Sequence, residues 1–575
     1  MMNLLGFDIS GLDLPWFLWA TRVLFALVTL LGAVMASRSA SDRRAGRIVL
    51  GVGALGHALA WFATMFPLPN VYGANGSMDR ENHLGWANVV ALGFSPLRTS
   101  QVNHLHFEPL WPLLTAIAAG FNVDRVTLVF QCAPLAIGLA LLLSVRFAWI
   151  QGGVGSRPQE TVAAFAAMGS LLLIAAPGDF SGPFRNPWEL TFLLKPNLAL
   201  GLVLAPLAAL WVSRARDWKT RLLAGFALQL VGWAFVIHMA LLVAGLALFV
   251  LLSWMTRNEG RRRDLIDVGT AVGLNLLIVS PYLVMLIVAY PFLHGNDAYR
   301  VSFFSERPIE GPLRLGGLLP LSALGAWQTH RAGTRLGRIL VAQWLAAQIV
   351  WQALPILGFF GQAREQDEAF YWCRFWTGMF AGIGLFHSMS LVSVRLRAAR
   401  SEDGNRVAGM AAALSLTLLL PSLLPAWWDP SLMDQYFVAA RKPVPDWISE
   451  PTRFIRNQTP KEAVFAGNRN YARWIAAYGA RRVLIANSMN NPGDTARRND
   501  IEAAALGDGT KALLREGRDR YALQYVVMTS DRLEQAPALT LDELERKPHL
   551  RVVYDRQFPA TRVMILEIIP PGDNK

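Results

Sequence analysis

The sequence predicts a polytopic α-helical membrane protein of about twelve transmembrane helices with a C-terminal soluble α/β domain. Three observations predict it. The chain of 575 residues is 53% hydrophobic and only 17% charged, with mean hydropathy +0.32, beyond what a soluble globular chain usually carries. Apolar runs of spanning length recur along the first three quarters of the chain. After Trp428 the character changes, with Pro and charge returning between short β-rich runs.

The apolar runs fall near 16–36, 47–67, 125–146, 160–176, 190–212, 221–237, 238–254, 266–290, 313–328, 338–354, 370–394 and 406–427. The pair between 221 and 254 also reads as one interrupted element. The stretch MMNLLGFDISGLDLPW before the first run is acidic where a signal peptide would be basic, so that run is expected to stay as a helix.

Net charge is +13 and the pI is near 10.1, yet the arginines sit in short clusters between apolar runs. These are Arg38/Arg43/Arg44/Arg47, Arg146/Arg157, Arg214/Arg216/Lys219/Arg221, Arg257/Arg261/Arg262/Arg263, Arg331/Arg335/Arg338 and Arg395/Arg397/Arg400. Falling at every second connection, they read as cytoplasmic anchors and imply no nucleic-acid partner. The connections 68–124, 177–189, 291–312 and 355–369 are then expected outside, with the N-terminus and the 429–575 domain. Cys132 and Cys373 lie far apart in apolar runs, so neither a disulfide framework nor a cysteine metal site is suggested.

In the tail, AVFAG, RRVLIAN, LQYVVMT, LRVVYD and VMILEII read as strands, and DIEAAAL and LDELERK as helical. About 140 residues is enough to bury a core. It holds neither a Gly-rich phosphate loop nor a nucleophile elbow, so a structural cap or an acceptor-docking role is expected.

The chemistry-bearing stretch is the long loop 68–124. There SMDRENH sets two acids, an arginine and a histidine beside a membrane, where charge is costly unless it is used. On a helix Asp79 and His83, four apart, share a face while Glu81 points elsewhere, so one acid faces a site. The run from Pro109 to Phe121 is too short to span and is expected at the interface. His104, His106 and Glu108 alternate, which on an extended segment puts them on one side, as polar groove lining or, less simply, as a divalent metal set.

The order Met78-Asp79-Arg80-Glu81, then Ala91-Leu92-Gly93, then His106-Phe107-Glu108-Pro109-Leu110-Trp111-Pro112-Leu113 resembles the GT-C superfamily of membrane glycosyltransferases. The likeness is to the protein O-mannosyltransferase and aminoarabinose-transferase type. The resemblance covers the helices through about 427 and the trailing domain. It implies an extra N-terminal helix and basic cytoplasmic loop in 1–46, a GT-C-like module over 47–428 and an extracytoplasmic domain over 429–575. The family's adjacent acidic pair is split here by Arg80.

The activity implied is transfer of a sugar, with inversion, from a polyprenyl-phosphate donor to a glycan, lipid or protein acceptor on the outer face of a bacterial inner membrane. Such transfer needs a carboxylate to take the acceptor's proton and cations to stabilise the leaving phosphate. Asp79 is the expected base, with Glu81 as the other choice, and His83, His104, His106 and Glu108 line the loop or acceptor groove. Lys195, His238 and Arg374 are the expected phosphate contacts. No cofactor is expected. A transporter or flippase of lipid-linked glycans would instead cluster its charges at the midplane of two repeated halves, and a non-catalytic glycan-binding scaffold would not depend on Asp79.

Overall fold

The computed structural model describes residues 78–102, 108–152, 196–256, 259–289, 318–353, 371–384, 387–388, 444–486, 494–530 and 541–569, with isolated positions between 24 and 52. The expected helices at 160–176 and 406–427, and nearly all of those at 16–36 and 47–67, lie outside the described residues. The chain divides into two compact units. The first is Met1–Leu68, Pro134–Ile278 and Ala298–Ala440; the second is Pro69–Ala133, Val279–Asp297 and Arg441–Lys575.

The helices before the tail are α1 Met78–Ala91, α2 Leu110–Ala118, α3 Val123–Gly152, α4 Pro196–Arg214, α5 Trp218–Ala234, α6 Val236–Met255, α7 Arg261–Ala289, α8 Leu318–Arg331 and α9 Arg335–Gln348. A π-helical turn, Ile349–Ala353, extends α9, and a further helix, α10, covers 371–384. Among the described residues, α4 and α6 are long and apolar enough to cross a membrane. A third span is added if α2 and the start of α3, bent by 111°, count as one broken element.

In the first unit, α4 and α5 form a hairpin whose turn is fixed by Asp217, which accepts from the Thr220 amide at 2.9 Å. The Thr220 hydroxyl in turn accepts from the Asp217 amide, completing a capping box. A single extended residue, Phe235, separates α5 from α6, so the 221–254 stretch is two helices. Gln343 of α9 donates to the Leu242 carbonyl at 2.9 Å, and Asn275 donates to Gln229 at 3.0 Å, so these buried amides are bonded across helices. Leu222, Leu223, Phe226, Leu251, Trp254, Met255, Ile266 and Leu277 remain exposed on the helix surfaces, the outward apolar pattern that a lipid surround requires.

The basic connections do more than anchor. Arg335 bonds Asp264 at 2.9 Å and Asp267 at 3.0 Å, and also donates to the Ala215 carbonyl at 2.9 Å. Arg221 bonds Asp267 at 2.7 Å. Three connections that the sequence puts on one side of a membrane, at 214–221, 257–263 and 331–338, therefore meet at one end of the unit through two buried aspartates.

The second unit contains α11 Asp446–Gln458, β1 Val464–Gly467, α12 Arg469–Ala477, β2 Arg482–Val483, α13 Thr495–Leu506, α14 Lys511–Tyr521, β3 Leu523–Thr529, α15 Leu541–Glu545, β4 Leu550–Gln557 and β5 Arg562–Ile568. Each strand coincides with one of the β-rich runs. Sheet order is β2-β1-β3-β5-β4, with β1 parallel to β2 and β3, and β5 antiparallel to β3 and β4. The Tyr525–Met528 stretch of β3 is apolar at every position because both faces are covered. Tyr525 and Val527 pack with Phe465, Tyr471, Trp474 and Ile475, while Val526 and Met528 pack with Ala505, Leu514, Leu541 and Leu544. Gly467, at φ 113°, ends β1 where a Cβ would stand 2.1 Å from the Val527 carbonyl oxygen. Arg498 is buried; it bonds Asp494 at 2.7 Å and the Leu484 carbonyl at 2.8 Å, and Tyr521 donates to Asp494 at 2.6 Å.

Candidate functional site

The acidic motif opens α1, and Asp79 stands in its first turn; the Asp79 side chain lies outside the described residues. The part of α1 that follows is docked on the α/β domain. Glu81 is buried and forms an ion pair with Arg473 of α12 at 3.5 Å. Gly85 meets Ala476 so closely that a Cβ would stand 2.9 Å from the Ala476 Cβ. Asn88 donates to the carbonyls of Ala476 and Ala477 at 3.2 and 2.8 Å. Positions 81, 85 and 88 recur at the spacing of one helix face, so the register is set by i, i+4, i+7 packing.

Beyond α1, the Val102 amide donates to the Val483 carbonyl and the Val483 amide to the Ser100 carbonyl, both at 2.9 Å. Residues 100–102 thus extend the sheet past β2, and Val102 is buried in the domain's core. Arg482 lies over the Phe94 ring, 4.2 Å from its centroid. His83 is buried edge-on to Trp86 with ring centroids 4.8 Å apart. Glu108 is buried just ahead of α2. His104 and His106 lie outside the described residues. Among the described residues no group of three His, Cys, Asp or Glu side chains is spaced to hold a metal.

The expected phosphate contacts belong to the first unit. Arg374 is buried on α10 among Trp372, Phe375 and Trp376. His238, in the first turn of α6, is fully buried between Phe235 and Trp372, with ring centroids 4.7 and 4.9 Å away. Among the described residues neither of its ring nitrogens has a hydrogen-bond partner, and Gly201 of α4 leaves the room its Nδ1 occupies. The described ring neighbours of His238 are thus both aromatic. Gln348, the last residue of α9 before the π-helical turn, donates to Thr377 of α10 at 2.8 Å. Lys195 and the charged stretch 363–370 lie outside the described residues.

Sequence reasoning missed Arg473, Asn88 and the Asp264/Asp267 pair. The register of α1 already turned Glu81 away from Asp79 and His83; its partner, far along the chain, had no local signal. The Asp264/Asp267 spacing in RRRDLIDVG puts both acids on one helix face, which was the available clue.

No family model matches the sequence, and no curated protein matches it. Among solved structures the chain is similar to ArnT from Cupriavidus metallidurans in the apo state, at 15% identity over 91% of this chain and 98% of that one, with TM-score 0.49. It is similar to the same protein bound to undecaprenyl phosphate at 16% identity over 90% and 98% of the two chains, again with TM-score 0.49. The archaeal oligosaccharyltransferase AglB from Archaeoglobus fulgidus, in complex with an inhibitory peptide and a dolichol-phosphate, matches at 15% identity over 83% of this chain and 70% of that one, with TM-score 0.43.

Proposed function

We propose that the chain is an integral membrane glycosyltransferase that moves a sugar from a polyprenyl-phosphate donor to an acceptor at the outer face of the membrane, with inversion and with Asp79 as base. The observation that carries this reading is the acidic helix. Glu81 is paired with Arg473 in a buried ion pair, so the base role is assigned to Asp79, whose position lies about 200° round the helix from it. Undecaprenyl phosphate and dolichol-phosphate are what the compared proteins bind; the reading for this chain rests on its own residues.

In this reading an acceptor hydroxyl attacks the anomeric carbon as the bond to the phosphate oxygen breaks. Asp79 takes the hydroxyl proton, and the electron pair of the broken bond leaves on the polyprenyl phosphate. Lys195 and Arg374 are the cations assigned to the phosphate, whose leaving is helped by charge-assisted bonds in a low-dielectric site. His238 packs as part of the aromatic wall between Phe235 and Trp372.

The test is donor cleavage by the purified full chain in detergent, with undecaprenyl-phosphate mannose and undecaprenyl-phosphate aminoarabinose supplied in turn and a membrane extract as acceptor source. Acceptor-dependent release of undecaprenyl phosphate from either donor supports the reading. Release from neither, with the chain folded and the donors intact, removes it.

A further inference from the structure

We infer that Arg473 is a positioning residue for the acidic helix, and that the α/β domain serves as the template on which that helix is set. This rests on the proposed transfer reaction only where it speaks of turnover; the positioning itself can be read without any activity.

The docked face of α1 has two parts. Its C-terminal half is held by Gly85 against Ala476 and by Asn88 on the carbonyls of Ala476 and Ala477. Its N-terminal part is held by the Glu81–Arg473 pair, with Glu81 side-chain exposure 3% and Arg473 15%. A second ion pair, Asp124 with Arg456, ties the start of α3 to α11, but Asp124 is 82% exposed, and exposed pairs contribute little. Among the described contacts, the buried pair is therefore the one that ties the first turn to the domain. Position 79 is in that turn, and any rotation of the turn about the helix axis carries position 79 through the same angle. The guanidinium of Arg473 also lies over an aromatic face, 5.2 Å from the Trp474 ring centroid, which restricts its own direction.

Removal of Arg473 should then loosen one end of α1 and leave the other. The amides of residues 82 to 85 bond to carbonyls in the first turn and report on it, whereas those of 88 to 91 report on the Asn88 half. A misplacement of ~1 Å at a reacting group costs on the order of 10²-fold in rate, so kcat should fall on the order of 10- to 100-fold with donor KM unchanged.

The experiment is hydrogen–deuterium exchange on the full chain in detergent, for the parent, Arg473→Met and Arg473→Lys, alongside release of undecaprenyl phosphate from the two donors named above. Arg473→Met should speed exchange at 82–85 at least about fivefold, leave 88–91 protected and lower kcat, and Arg473→Lys should restore most of both. The double variant Glu81→Gln/Arg473→Gln leaves no unpaired buried charge and should reproduce the Arg473→Met pattern if that single variant folds poorly. Unchanged exchange at 82–85 in both overturns the positioning role, even where the parent turns donor over. Local loosening with no turnover by the parent upholds the positioning role and removes the transfer reading instead. Loosening with parental kcat overturns the claim that the held turn carries the chemistry.

Discussion

Asn88 of α1 donates its side-chain amide to the Ala477 carbonyl at 2.8 Å, and to its neighbour Ala476 at 3.2 Å, closing the C-terminal end of α12 with a residue from a distant part of the chain. The last carbonyls of a helix lack internal partners, and here both are buried under α1. Asn88→Ala should therefore cost about 1–3 kcal/mol, the penalty of stranding buried acceptors. Asn88→Asp should cost more, because it turns two acceptors toward an acceptor. Pulse proteolysis in urea would show the midpoint falling for both; equal midpoints for parent and variants would mean that water replaces the amide.

The Arg335 cluster should dominate stability in the first unit. Arg335→Leu removes one cation from between Asp264 and Asp267, both buried, and breaking a buried pair from one side costs about 3–5 kcal/mol. Arg331, whose guanidinium lies 4.8 Å over the exposed Trp327 ring, gives the contrast: Arg331→Ala should cost under about 1 kcal/mol. Thermal unfolding in detergent should rank the two variants far apart, and a small effect at Arg335 would mean that Arg221 at Asp267 and Ser253 at Asp264 hold the two acids without it.

Acid should weaken the α/β domain through Asp494 and Asp555. Burial pushes the Asp494 carboxyl up, but the bonds from Tyr521 and Arg498 outweigh it and hold the group below its ordinary value. The Arg562 hydrogen bond holds Asp555 down in the same way. Both folded-state values are lower than those of the unfolded chain, about 3.9, so the stability they contribute is complete well above pH 4 and is lost as pH falls through the folded values. Exchange rates of β3 amides between pH 6 and pH 2, corrected for intrinsic rates, should rise below pH 4. Asp494→Asn should flatten that rise.

The strands were legible because a sheet covered on both faces writes itself as apolar runs, as LQYVVMT does for β3, and the long helices because lipid demands the same of them. The opposition of Asp79 and Glu81 was legible too, since helix geometry fixes it within one turn. What joins 78–102 to the domain was not. Arg473, Ala477 and Val483 meet this segment across a gap that no local period spans, and a bridge of two main-chain bonds at Val483 carries no side-chain signature. Arg221 and Arg335 read as anchors for the same reason: the acids that neutralise them lie on α7, on another connection.

Arg374 should matter to donor binding rather than to the proton. A charge-assisted bond to phosphate in a buried site contributes on the order of 1.5–3 kcal/mol, so Arg374→Ala should weaken binding of undecaprenyl-phosphate mannose or aminoarabinose roughly ten- to a hundredfold. Lys195→Ala should act similarly. His238→Phe, which suits the aromatic wall of Phe235 and Trp372, should change binding little. Equal affinity in the Arg374 and Lys195 variants would take both cations out of the site.

Asp79 and Glu81 should fail in different ways, and the difference separates chemistry from support. Asp79→Asn keeps the size of the side chain and much of its hydrogen bonding but cannot take the acceptor's proton. Loss of general-base help should lower kcat roughly 10²- to 10⁴-fold, with donor binding and exchange across α1 unchanged. Glu81→Gln instead leaves Arg473 without its carboxylate in a largely buried position, so exchange at the first turn should rise and kcat should fall by a smaller factor. Once Arg473 is also replaced by Gln, adding Glu81→Gln should cost little more, because the two residues act as one unit. Arg473 acts on kcat through the placing of Asp79, so Arg473→Met should lower kcat little further once Asp79 is Asn, while its effect on exchange at 82–85 should stay. If Asp79→Asn turns over donor at the parent rate while Glu81→Gln is inactive with its helix still protected, the base is Glu81 and the ion pair with Arg473 is part of the chemistry.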